Sequence, residues 1–237
     1  MNNNYKHVLF ILDDSGSMSD MVTDAIGGFN QFVENQQTYA KEEGLTIKLD
    51  TLIFGSPGTQ NYLHRDLDIH KVTPLTRKEY NANSGATALL DTIGMGVTDL
   101  GSTLRDMPET DRPGEVIVQI FTDGYEKSSR EYRLADIQQM IRTQTNTYSW
   151  DFVFMASDLD ATQMASDMGI HHIAYSEKSG EGMRSVFDST ENFLKMARYE
   201  KQNANFQHIY NRVLREKKRE KRKLDEQQRV EENADKK

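Results

Sequence analysis

Residues 8–18 constrain the fold of this chain more than any other stretch. Val8, Leu9, Phe10, Ile11 and Leu12 run without a polar break, and Asp13, Asp14, Ser15, Gly16, Ser17 and Met18 follow at once. Five consecutive apolar residues are what a strand buried on both faces looks like, although a piece of buried helix shares the pattern. The polar string settles the choice, because Asp, Ser and Gly leave a sheet rather than extend it. It reads as a tight loop at the carboxyl end of a central strand, where open α/β sheets bind their ligands. Asp13, Ser15 and Ser17 are spaced two apart, with Gly16 letting the backbone curl. Such a loop can turn one carboxylate and two hydroxyls toward a common point, an all-oxygen set that suits a hard divalent cation, Mg2+ above all. The same string can also be a polar turn before a helix.

The rest of the chain repeats the strand–helix alternation. Ala25, Ile26, Phe29, Phe32, Val33 and Tyr39 mark one face of a helix within Met18–Glu43, and Gly44 is a natural end for it. Leu45–Phe54 reads as a strand, Gly55–Gly58 as a turn, and 59–64 with 68–72 as short strands or an irregular hairpin. Asn83-Ser84-Gly85-Ala86-Thr87 is a loop before a helix over about Ala88–Arg105. Met107–Gly114 is a surface loop. Glu115–Thr122 is a second strongly buried strand, and it too ends in a carboxylate and a glycine, Asp123 and Gly124. A helix from Ser129 or Arg130 to about Thr143, a strand over Tyr148–Ala156, a short helix near Asp160–Met168, a weaker strand Ile170–Tyr175 and a helix over Gly182–Arg198 complete the series. This order predicts an α/β fold, doubly wound, with a mostly parallel central sheet and helices on both faces.

Composition sets outer limits. The chain has 237 residues, 36% hydrophobic and 28% charged, which allows one α/β domain and an appendage. The net charge of -8 is uneven: residues 212–237 hold 11 Lys/Arg against 7 Asp/Glu, a net of +4. The expected division is a domain over 1–206 and a charged, helical to disordered tail over 207–237, with Glu216–Lys237 solvated by opposite charges three or four apart. There is no cysteine, so neither disulfide nor thiolate chemistry is open to the chain. The polar N-terminus is not a signal peptide and no apolar run reaches transmembrane length, so the expected location is cytoplasmic. The basic run Lys217–Lys223 is interleaved with acid and belongs to no nucleic-acid module, which argues against nucleic acid as partner.

Three loops fall on one edge of the predicted sheet and bring two carboxylates, Asp13 and Asp123, and three hydroxyls, Ser15, Ser17 and Thr87. A cation wanting about six oxygens keeps at least one position for water or a partner. Two aspartates formally neutralise a divalent ion, and the open position still attracts an anionic oxygen, such as an acidic side chain of another protein.

At these residues the chain resembles a von Willebrand factor type A domain. Asp13-Asp14-Ser15-Gly16-Ser17-Met18 matches the family's Asp-x-Ser-x-Ser signature, Asn83–Leu89 is similar to the loop carrying the metal-site threonine, and Phe121-Thr122-Asp123-Gly124 is similar to the Thr-Asp-Gly element. The resemblance covers roughly residues 5–200 and implies a three-layer, Rossmann-like sandwich. It also implies a metal-ion-dependent adhesion site made by Asp13, Ser15, Ser17, Thr87 and Asp123, holding Mg2+, with Mn2+ or Ca2+ as substitutes. In such domains the first-loop serines touch the ion, and the threonine and carboxylates bind it directly or through water. An acidic side chain of a protein partner completes the shell.

The function this implies is a non-enzymatic protein-binding module of the intracellular bacterial or phage type. The alternative setting is a bacterial stress-response system of the tellurite-resistance kind. An enzyme reading, metal-dependent phosphoryl hydrolysis, is opposed by the residues. Ser15 stands where a second aspartate would act as acid, no histidine lies near the three loops, and no Gly-Lys-Ser/Thr phosphate loop exists. His171 and His172 are adjacent in a strand and point to opposite faces, so they cannot share an ion. Asp14 and the polar segment 55–82 depart from the family pattern. The first reads as facing solvent or a nearby donor, the second as solvated loop beside the site.

Overall fold

The computed structural model describes residues 1–123, 126–157 and 159–175. The predicted helix over Gly182–Arg198, the tail from 207 and His208 lie outside the described residues.

The first apolar run is the centre of the sheet. Strand β1 (Asn2–Asp13) is flanked on one side by β2 (Thr46–Phe54) and then β3 (Asn61–Asp68), and on the other by β4 (Pro113–Thr122), β5 (Asp151–Ala156) and β6 (His172–Tyr175). All pairings are parallel except β2 with β3. The fold is therefore α/β with a mostly parallel sheet, six-stranded among the described residues.

Alternate residues of β1 serve two cores, as the strand period of two requires. Val8, Phe10 and Leu12 face helix α1 (Val22–Glu43), where the Phe10 and Phe29 rings meet edge to face at 5.2 Å. Leu9 and Ile11 face a second core built with α2 (Leu89–Asp106), α3 (Leu134–Tyr148) and α4 (Leu159–Asp167). Helices thus cover both faces. Glycines in α2 that weaken a helix in isolation serve packing here: a Cβ on Gly94 would fall 2.6 Å from the Tyr132 ring, so α2 and the chain before α3 meet without a side chain between them.

From β1 the chain winds outward to β2 on one side and is joined by β4 on the other. The crevice at the carboxyl ends of β1 and β4 is the topological switch point of the sheet, the place where such folds bind ligands. Asp13 ends β1, and Asp123 immediately follows β4.

Several boundaries differ from expectation. Residues 61–68 form one antiparallel edge strand rather than two short ones. Its polar residues and a bulge at Asp66, where φ is +48°, hide the strand pattern. A 3-10 turn, Gly16–Met21, precedes α1. Pro113 and Gly114, read as loop, open β4. Helix α3 begins at Leu134, not Ser129 or Arg130, because the Asp91 carboxylate takes the N–H groups of Arg130, Glu131 and Tyr132 and holds them in a loop. It runs on to Tyr148, which delays β5 to Asp151. No helix among the described residues is long and apolar enough to cross a membrane.

Candidate metal centre

Parallel pairing in register, Leu12 beside Phe121, carries Asp13 and the end of β4 to the same level. Asp13 is fully buried and its carboxylate is held from two sides. One oxygen accepts the Ser15 N–H at 2.7 Å, and the other accepts the Thr122 hydroxyl at 2.5 Å. Its backbone carbonyl accepts the phenol of buried Tyr80 at 2.6 Å. Burial pushes the Asp13 carboxyl up to about 6. The two hydrogen-bond donors pull it back, and the nearby charge of Asp123 adds to the rise. Tyr80 is raised by burial and then by the charges of Asp13, Asp14 and Asp123.

The two serines complete a row of oxygens. Ser15 Oγ lies 3.1 Å from Ser17 Oγ, and Ser17 Oγ donates to Asp123 Oδ1 at 2.7 Å. Ser15 and Asp123 are buried, while Ser17 between them is exposed, so the row reaches the surface at its middle member. Thr87 is buried at the same edge, and its position is set by its loop. Gly16 N–H donates to Gly85 O at 2.9 Å, Ala88 N–H to Gly55 O at 2.8 Å, and Lys127 N–H to Thr87 O at 3.0 Å. No hydrogen bond among the described residues joins the Thr87 hydroxyl to the other four site residues. The structure thus links Asp13, Ser15, Ser17 and Asp123 directly and sets Thr87 beside them through backbone contacts. Gly124 lies outside the described residues.

This donor set fits a hard divalent ion. Ligands about 2.0–2.1 Å from a Mg2+ ion in octahedral geometry are about 3 Å from their neighbours. The 3.1 Å and 2.7 Å separations along Ser15, Ser17 and Asp123 match that edge length. Two buried carboxylates share the site, and among the described residues Asp13 has no ion-pair partner. No cluster of three His, Asp or Glu side chains among the described residues could hold a metal by itself. A metal held here would need the hydroxyls as well as the carboxylates, an all-oxygen set that suits hard divalent ions.

Asp14 proves to be part of the scaffold. It is 6% exposed, and its carboxylate accepts the N–H groups of Asn81 at 3.2 Å and Ala82 at 2.5 Å together with the Ser84 hydroxyl. The expectation that it faces solvent is corrected, and the nearby donors are those of the 81–84 chain. Its backbone joins the same clamp, with N–H to Phe54 O and carbonyl to Ser84 N–H. Gly55 is required underneath, since a Cβ there would lie 2.3 Å from the Ser84 side chain. Sequence reasoning missed Thr122 and Tyr80 as supports. In sequence Thr122 reads only as part of the Thr-Asp-Gly element, with no role of its own.

The 55–82 segment divides into two parts. His64, Arg65, Asp66 and Asp68 belong to edge strand β3, where Arg65 pairs with Asp99 at 3.4 Å and Asp66 with Lys48 at 2.6 Å. Arg77 instead reaches the first turn of α1 and donates to the Thr23 hydroxyl at 2.8 Å. His171 is exposed and His172 half-buried at the start of β6, outside the site.

No family model matches the chain. No curated protein matches it either. Solved structures do. The pilus adhesin SpaC of Lactobacillus rhamnosus GG in its open conformation aligns with a TM-score of 0.56 and 10% identity, over 81% of this chain and 30% of the adhesin. Manganese-loaded TRAP protein of Plasmodium vivax aligns with a TM-score of 0.54 and 18% identity, over 78% of this chain and 73% of that one. Proximal thread matrix protein 1 of the mussel byssus, with a zinc-occupied MIDAS motif, aligns with a TM-score of 0.51 and 13% identity, over 81% and 46%. The chain spans less than a third of the adhesin and under half of the thread protein. At such identities the likeness speaks for the fold alone, and that fold is a von Willebrand factor type A-like three-layer sandwich.

Proposed function

We propose that this chain is a non-enzymatic protein-binding module. In this reading Asp13, Ser15, Ser17, Thr87 and Asp123 hold a Mg2+ ion, for which Mn2+ or Ca2+ can substitute, and a partner protein supplies an acidic side chain to the site. The observation that carries the reading is the row of oxygens Ser15 Oγ, Ser17 Oγ and Asp123 Oδ1, beside the buried Asp13 carboxylate that accepts the Ser15 N–H, at the switch point of the sheet. The manganese and the zinc-occupied MIDAS motif of two structural neighbours support a divalent ion in this fold. The bound ion would act as a Lewis acid toward an incoming carboxylate. The residues of the chain supply its cage, keep the interior side dry and leave exposed Ser17 at the mouth. The non-enzymatic part of the reading rests on the sequence, where Ser15 stands in place of a second aspartate that could act as acid. We place the chain in a cytoplasmic setting of the bacterial or phage type; without cysteine it has no disulfide that would call for an oxidising compartment. The tail over 207–237 is read as separate from the site.

The test is capture of partner proteins from extract by the full chain with Mg2+, with EDTA, and by an Asp123→Ala variant. A protein retained only by the wild type with Mg2+ supports the proposal. Identical retention in all three arms refutes it.

A further inference from the structure

At the opposite end of the sheet from the metal centre, a groove of about 650 Å3 opens between the C-terminal halves of α2 and α3. That volume lies within the range of small-molecule sites, about 300–1,000 Å3. Its apolar lining includes Val97, Leu104 and Trp150, all buried, with Met140 beside them. Two large hydrophobic side chains stand out as exposed among the described residues, Met1 at 64% and Tyr148 at 57%, and both line this groove.

The polar part is equally specific. Arg112 is half-buried at the rim, and its guanidinium donates to the carbonyls of Met107 at 3.1 Å and Arg105 at 2.9 Å. Those bonds fix its position but leave its charge, because no carboxylate lies within ion-pair distance among the described residues. Arg105 adds a second cation, partnered at the surface by Asp106 at 3.4 Å, and among the described residues exposed Glu109 is the one acid in the lining. A pre-positioned guanidinium binds an oxyanion with little ordering cost. Aromatic walls take a flat apolar body.

From this juxtaposition we infer that the groove between α2 and α3 is a binding site for a small amphipathic anion, a flat apolar body carrying one acidic group set against Arg112. The site is independent of the metal centre. Nothing in its lining is shared with the five residues there.

The chain has a single tryptophan, Trp150, which sits in the groove and reports on it. The full chain is titrated with anilinonaphthalene sulfonate and with N-phenylnaphthylamine, which offers the same body without the acid. Trp150 quenching and probe emission are followed together. The sulfonate binds at one site and at least about tenfold more tightly than the neutral probe, the scale of one charge-assisted contact.

Gly101→Leu fills the groove. Among the described residues a Cβ at Gly101 meets only Gln144 at 3.8 Å and Trp150 at 4.0 Å, and leucine is the better helix former. This variant folds and loses both probes. Arg112→Gln brings the sulfonate down to the affinity of the neutral probe. Should Arg112→Gln fail to fold, Gly101→Leu and the comparison of probes decide alone. Equal affinity for the two probes, or binding untouched by Gly101→Leu, overturns the inference. So does a dimer in sedimentation that Gly101→Leu converts to monomer, since the groove would then belong to a second copy.

Discussion

Ser17 Oγ donates a 2.7 Å hydrogen bond to Asp123 Oδ1 across 106 positions of sequence, and so joins the loop after β1 to the loop after β4. If that bond marks neighbouring ligands of one ion, removing Asp123, or the site's other carboxylate, Asp13, removes the ion. Asp123→Ala and Asp13→Ala are expected to lower Mg2+ and Mn2+ affinity by more than about 100-fold, beyond the ~10–100-fold typical of outer-shell changes. Calorimetric titration measures the loss, and circular dichroism of the same samples should show the fold retained. Unchanged affinity in Asp123→Ala would sink the metal reading.

Asp14 is expected to matter through the 81–84 chain it holds. Asp14→Ala strands the N–H of buried Ala82 and the hydroxyl of half-buried Ser84, and takes an acceptor from the N–H of exposed Asn81. Stranded donors cost about 1–3 kcal/mol apiece, so a loss on the order of 2–4 kcal/mol in urea unfolding is expected. Asp14→Asn keeps an acceptor oxygen and should recover part of it. Equal stability of wild type and Asp14→Ala would mean that water replaces the carboxylate.

Far from the metal centre, Lys6 and Glu115 form an ion pair at 3.1 Å with side chains only 3% and 11% exposed, and Lys6 also lies over the Tyr39 ring at 5.1 Å. Breaking a buried pair on one side leaves a stranded charge, which costs about 3–5 kcal/mol. Glu115→Ala is expected to fall in that range by denaturant unfolding. The double variant Lys6→Met with Glu115→Leu is expected to be closer to wild type, because no charge is then buried. A double variant worse than the sum of the two single ones would contradict this account.

The parts of this protein legible in its sequence are those written in local pattern. The apolar run 8–12 and the polar string after it locate the central strand and its loop, and Asp123 is legible in the same way at the end of β4. The geometry that makes a site of them is long-range and was not legible. Asp14 acts on backbone N–H groups, which every residue but proline supplies, so nothing at 81 or 82 announces the contact. The start of α3 is decided by Asp91, 39 to 41 residues earlier in the chain. Strand β3 escaped as a single element because an edge strand carries charge and a bulge in place of apolar alternation.

His64 supplies a pH dependence that owes nothing to the metal. Its ring stacks on Phe29 with an interplanar angle of 5°, and Nδ1 lies 3.0 Å from the Thr51 hydroxyl. Burial lowers its pKa below the ordinary histidine value of 6.5. The folded state therefore prefers the neutral ring. Above about 6.5 both states are neutral and nothing is lost; as pH falls, the unfolded chain takes up the proton first, and stability declines until the folded pKa is passed. His172, lowered by burial and by His171, acts in the same direction. The histidines therefore lower the urea midpoint of the metal-free chain between about pH 7.5 and 5.5, and Asp13, whose raised carboxyl takes up a proton in the folded state near pH 6, offsets part of that loss. The slope should be shallower in His64→Gln and shallower again when His172→Gln is added. A slope unchanged in the double variant would assign the dependence to other groups, and would mean that water reaches the ring behind Phe29 readily enough to pay no penalty for its charge.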